Sequence, residues 1–195
     1  QEKRKYGPVE GPFTWVTASA TIGGKKFSNV GLRKKGFLGS LDSERPSLKI
    51  KLNKEDPRAE INGLTMLTFN NNKQDVSLMS QSMGYALYNA AGSPAPRCGY
   101  ARITVNGKNL GIYSHVESLR RALLRREFGD GRGPLYEGTV VDFFRGWEEA
   151  FEIKMSAKKS DQKSKQNRFK ALLEELGREK IKQLTKVLEN DDLPD

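Results

Sequence analysis

From Ser47 to Leu52 the chain reads SLKIKL, so Leu48, Ile50 and Leu52 are separated by Lys49 and Lys51. Strand side chains alternate between faces, and this pattern predicts a strand with aliphatics on one side and ammonium groups on the other. The basic run Val30 to Lys35 predicts a neighbouring strand, and Gly36, Gly39 and Ser40 predict a pliant loop between the two. Upstream, Phe13 to Ile22 is rich in β-branched and aromatic residues. Gly23-Gly24 then signals a tight turn into Lys25 to Val30, so a hairpin is expected there. Asn106-Gly107 predicts a second hairpin, between Tyr100–Val105 and Leu110–Glu117, and a short apolar run, Leu64 to Phe69, lies between the two hairpins.

Helical periodicity takes over elsewhere. Met79, Met83, Ala86, Leu87 and Ala90 recur at helical spacing, predicting a helix from Ser77 to Ala91. The polar bend Asn70 to Asp75 delivers its N-cap, and Gly92 stops it with Pro94 and Pro96 beyond. A basic, leucine-bearing helix is expected from Ser118 to Phe128, with Gly129, Gly131 and Gly133 forming a connector into Leu135–Gly138. After Trp147 the segment Lys154 to Lys170 is basic, with Asp161 its only acid. Two short amphipathic helices follow, one carrying Phe169, Leu172, Leu173 and Leu176, the other Ile181, Leu184, Val187 and Leu188, with a cap at Gly177 between them.

The fold class these elements predict is α+β: an antiparallel sheet of about five strands with one packed helix, then a helical C-terminal region. The expected organisation is a partly ordered lead-in over 1–12, a β-rich lobe over 13–117, a connecting region over 118–153, and a basic segment with a helical hairpin over 154–195. A sheet with a helix inserted before its last two strands is the layout of a protein-kinase small lobe.

Composition narrows the partners. At 195 residues, 36% hydrophobic and 30% charged, the chain is a polar globular protein. A formal charge of +10 and a pI near 9.7 favour polyanions: phosphorylated ligands, nucleic acid or acidic surfaces. Cys98 is the single cysteine, so no disulfide can form within the chain, and a small buried thiol is expected. No run reaches the length of a membrane span. Because the chain begins with Gln1, removal of something upstream is expected, either a processed leader, which would place the protein outside the cell or in its envelope, or excluded sequence. Lys154 to Lys170 has the charge for nucleic acid but lacks the interleaved aromatics that stack bases, which argues against that partner.

The candidate chemistry sits in the opening stretch. Pairing Val30–Lys35 with Ser47–Leu52 brings the amides of Gly36 to Ser40 near the lysine face, an arrangement that holds a phosphate. An ordinary basic hairpin with solvated lysines fits the same residues. His115, the only histidine, shares a strand face with Tyr113 and Glu117 and reads as a packed or exposed structural residue in preference to a base.

Several segments together resemble one family. VGLRKKGFLGS (30–40), SLKIKL (47–52), the stretch from Leu67 to Gly107, LGIYSHVE (110–117) and FGDGRGPLYEGTVVDF (128–143) are similar to the CotH family of bacterial, spore-coat-protein-H-like kinases. The resemblance implies an atypical protein kinase that uses ATP with Mg or Mn to phosphorylate Ser or Thr of a protein substrate. By position it assigns Lys49 to the α/β-phosphates, with Gly36, Gly39 and Ser40 in the phosphate loop. That loop departs from the family's KGNSS form, having Phe37 and Leu38 where Asn and Ser are usual. Family members commonly carry Arg-Glu where this chain has Ser80-Gln81, which leaves Glu117 to orient Lys49 or to sit at the hinge. A structural carboxylate paired with Arg120 or Arg121 is the other reading of Glu117. The resemblance puts the metal-holding and proton-accepting acids in a large lobe C-terminal to the matched region, leaving Asp142 alone here. The polypeptide is therefore expected to be catalytically silent yet able to bind nucleotide weakly. A non-catalytic coat or envelope module, gripping acidic partners with its basic face, is the competing reading.

Overall fold

In a computed structural model, the described residues are 13–36, 39–138, 143, 151–155, 175 and 177–186. They form β1 (Val16–Ile22), β2 (Lys25–Lys35), β3 (Ser47–Lys51), a single 3-10 turn (Leu52–Lys54), β4 (Met66–Asn70), α1 (Ser80–Ala90), β5 (Cys98–Val105), β6 (Lys108–Glu117), α2 (Arg121–Phe128), β7 (Leu135–Gly138) and β8 (Phe151–Met155). Residues 177–186 are helical. The chain divides into two compact units, one of Gly11–Gly129 and one that takes in Asp130–Asp195.

The first unit is built on a six-stranded sheet of order β1-β2-β3-β4-β6-β5, antiparallel throughout. The class is α+β as expected, with six strands where about five were expected. Both two-residue turns form: Gly23 and Gly24 have φ of 55° and 81°, and Asn106 and Gly107 have 48° and 80°, the positive values a type I′ turn requires. Lys25–Val30 and Val30–Lys35, read separately from sequence, are one strand of 11 residues. The irregularity that hid this is a register shift opposite Ala18 to Ala20, beside Asn29 at φ 55°.

Registered pairs show the two faces. Leu32, Ile50 and Leu67 lie opposite one another, as do Leu48 and Phe69, and with Phe27, Val30, Leu52 and Tyr113 they form the core. Arg33, Lys49 and Thr68 lie opposite one another on the other face, so the lysines of SLKIKL point away from the core as their alternation predicts.

Helix α1 lies over that second face, attached by polar contacts. Asn70 donates to the Gln81 carbonyl at 2.8 Å, and the Tyr100 hydroxyl meets Leu78 O at 2.9 Å and Ser82 Oγ at 2.7 Å. None of its residues is buried, and Met79, Met83 and Leu87, expected to face the core, are 50, 60 and 70% exposed. The helical period was legible in the sequence, whereas the face that turns inward is set by these hydrogen bonds, so the expected packed helix is a tethered one. It begins at Ser80, where the Asp75 carboxylate accepts the Ser80 N–H at 2.8 Å.

In the second unit β7 pairs antiparallel with β8, which takes up Lys154 at the start of the segment read as basic. Gly177, expected as a cap between helices, is buried and itself helical, Glu175 being helical as well, and within 177–186 Ile181 is buried and Leu184 is 44% exposed. Phe37, Leu38, Asp142, Asp161, the helix carrying Phe169, and Val187 and Leu188 fall outside the described residues.

Candidate functional site

The loop from Gly36 to Pro46 joins β2 to β3, and its fold follows from a few polar side chains. The Asp42 carboxylate accepts the N–H groups of Glu44 and Arg45 at 3.0 and 2.8 Å, closing a tight turn. Those amides, that of Arg45 foremost, hold the Asp42 carboxyl below its ordinary pKa, with Lys73 at 3.4 Å contributing. Arg45 reaches across to β6, donating to the carbonyls of Leu110 at 2.9 Å and Ile112, and its guanidinium lies 4.9 Å from the Tyr113 ring centroid. Asn71, 2% exposed, secures the loop from β4: its amide donates to the carbonyls of Ser40 at 3.1 Å and Arg45 at 2.9 Å. Gly39 is a required glycine, with φ of 78° and a position where a Cβ would run into the Gln74 side chain.

Beside this loop is a polar cavity of about 210 Å³, bordered by Lys35, Ser40, Ser47, Asn70, Lys73 and Gln81 among others. Lys35 leads from the end of β2 and donates to Asn70 Oδ1 at 2.6 Å, while Asn70 donates in turn to Gln81. Burial pushes the Lys35 ammonium below its ordinary pKa, and Arg33 on the same face adds to the shift. Among the described residues its hydrogen-bond acceptor is a neutral amide, which leaves its positive charge partly solvated and not cancelled. Asp75 also borders the cavity, but its carboxylate accepts the Ser77 hydroxyl and the Ser80 N–H, and these hold its pKa low. A partly desolvated cation, hydroxyls of Ser40 and Ser47 and a fixed loop make a seat for an anion.

The residues singled out from sequence are distributed unevenly around this seat. Ser40 borders it, and Gly36 follows Lys35 directly, with Leu41 packed where a Cβ would project. Lys49 is half-buried on the same sheet face, opposite Arg33 and Thr68. Glu117 is elsewhere: paired with Leu67, it projects from the core face, opposite to that of Lys49. Its carboxylate meets the Arg126 guanidinium of α2 and accepts the Arg97 N–H at 3.1 Å. His115 packs against Phe69 in a tilted pair with ring centroids 5.1 Å apart, and burial holds its pKa down although Glu117 opposes the shift.

Lys35, Arg45 and Asn71 were missed as site residues. The Lys35-Gly36 junction was the available signal for the first. The Asn70–Asn72 run read as a helix cap because the Asn71 partners Ser40, Arg45 and Ser47 lie 24 to 31 residues away in sequence.

A family model described as CotH kinase protein matches residues 32–192. The chain belongs to the CotH kinase protein family. No curated protein matches it. For a CotH kinase family member, use of a nucleotide and a substrate is what the family implies, and the matched region contains the whole loop and cavity. Among the described residues, no three His, Cys, Asp or Glu side chains come together as a metal site, so no metal-dependent step can be derived from them. No described helix is long and apolar enough to cross a membrane.

Proposed function

We propose that this CotH family member binds ATP for phosphoryl transfer to a protein hydroxyl, with the nucleotide's phosphates seated between the Gly36–Pro46 loop and Lys35. The observation that carries the reading is the Lys35 ammonium, partly desolvated, hydrogen-bonded to Asn70 and, among the described residues, without a carboxylate on it. A bound triphosphate supplies the charge that this group lacks.

The strand order supports a kinase-like lobe. Setting β1 aside as an extra edge strand, β2 to β6 form five strands with α1 inserted before the last two. In that layout the strand before the helix supplies a lysine and the helix a glutamate. Here the corresponding positions hold an amide pair, Asn70 on β4 and Gln81 on α1, and the ammonium arrives from the end of β2. Lys49, with Arg33 and Lys51 on the same face, is assigned to charge attraction along the nucleotide's tail, and Gly36, Gly39 and Ser40 to the loop that covers it. Glu117 is assigned to the structural ion pair with Arg126.

The test is thermal unfolding of the chain with millimolar Mg-ATP. A ligand at a hundred times its Kd stabilises by about 2.7 kcal/mol, so a rise in Tm of several degrees is expected. Lys35→Ala abolishes the rise and Lys49→Ala reduces it. Absence of any rise in the wild-type chain overturns the reading and favours a basic face that grips acidic proteins.

A further inference from the structure

The two edges of the six-stranded sheet, β1 and β5, do not pair with each other, yet both border one cavity of about 530 Å³. Its lining takes in every residue from Ala18 to Gly23 and every residue from Tyr100 to Asn106. Side chains of a strand alternate, so an unbroken run means that the main chain of each edge faces the cavity. A second cavity of about 490 Å³ includes Val16 and Val105 and shares Leu32 and Leu48 with the first, so open space follows the seam along its length.

The inward residues of both edges are small or aliphatic. Ala18, Ala20 and Ile22 on β1 and Ala101, Ile103 and Val105 on β5 pack against the core, yet each is only half-buried. The His115 Nε2 atom, in the lining of the larger cavity, is buried and has no hydrogen-bond partner among the described residues. Among the described residues, no further strand covers either edge. The outward residues are polar: Thr17, Ser19 and Thr21 on β1, Tyr100, Arg102 and Thr104 on β5. Neither strand contains an acid, Arg102 projects beside the seam, and Lys25 and Lys108 follow the two strands across their turns.

We propose that the seam between β1 and β5 is a docking site for an extended peptide segment of a partner protein, with apolar residues alternating with acidic ones. Two facing rows of backbone donors and acceptors are satisfied together by an extended polypeptide. Its apolar side chains fill the space above Ala18, Ala20 and Ala101, and its acidic ones face out toward Arg102 and the flanking lysines. Because each step across the sheet is antiparallel, β1 and β5 run in opposite directions, so the incoming strand is antiparallel to one edge and parallel to the other.

The test uses the whole chain without nucleotide and a short fluorescein-labelled peptide of alternating glutamate and valine. Anisotropy is expected to report a Kd on the order of 10 μM. Amide exchange over 16–22 and 98–105 slows by about tenfold or more on addition, while α1 is unaffected. Ala101→Trp plugs the seam and abolishes binding, and Thr104→Trp, on the outer face of the same strand, retains it. Should Ala101→Trp fail to fold, Arg102→Glu decides: it weakens the glutamate peptide about tenfold and strengthens a lysine–valine peptide. Binding that leaves either edge unprotected, or that ignores both substitutions, overturns the proposal. So does edge protection already present in the free monomer, which assigns the seam to the chain's own residues, and so does protection that grows with protein concentration, which assigns it to a second copy. Because ATP is absent, failure here leaves the nucleotide reading standing.

Discussion

A lysine that gives up water for an asparagine carbonyl costs free energy unless an anion arrives, and Lys35 is in that position. Its folded pKa lies below the ordinary 10.5, so between the two values the unfolded chain binds more protons and stability rises with pH. Urea midpoints measured from neutral pH to pH 10.5 are expected to show that rise, and Lys35→Met to flatten it while removing the response to ATP. Glu117 separates structure from ligand binding. Its carboxylate, 8% exposed, meets an Arg126 side chain that is 22% exposed and also holds Glu127. Glu117→Leu is expected to cost about 2 kcal/mol by chemical denaturation, since Arg126 keeps one partner and the Arg97 N–H loses its acceptor. The Mg-ATP shift of the folded protein survives that change, and its loss would return Glu117 to the nucleotide site.

The loop between β2 and β3 is held by the Asn71 side chain just beyond β4 and by its own Arg45, which bonds the carbonyls of β6. Arg45→Ala removes donors to two β6 carbonyls and a guanidinium lying on Tyr113. A loss of about 2 kcal/mol is expected, with faster amide exchange through residues 39–46 and weaker ATP binding because the loop loses its preorganisation. Helix α1 shows how spacing and orientation separate. Its period is visible in Met79, Met83 and Leu87, but hydrogen bonds from Asn70 and Tyr100 turn its polar side to the sheet.

The unit of Gly11–Gly129 contains the core, the loop, the cavity with Lys35 and the Glu117–Arg126 pair. A chain of residues 11–129 is therefore expected to unfold cooperatively and to retain the Tm rise with Mg-ATP, as followed by circular dichroism. A folded truncation without the rise would assign part of the binding energy to residues beyond Gly129.

Much of this molecule was legible from local order along the chain. Alternation identified β3 and its lysine face, glycine and asparagine at two turns identified both hairpins, and ordered segments from Val30 to Phe143 pointed to the CotH family. These signals are carried by residues within a strand or turn of one another, where steric preference acts directly. The contents of the candidate site depend on contacts remote in sequence. Lys35 meets Asn70, Asn71 meets Ser40, Arg45 meets Leu110, and the sheet register turns Glu117 away from Lys49. Such pairings depend on strand order and on which face each strand presents, and neither is encoded in the spacing of residues within a single element.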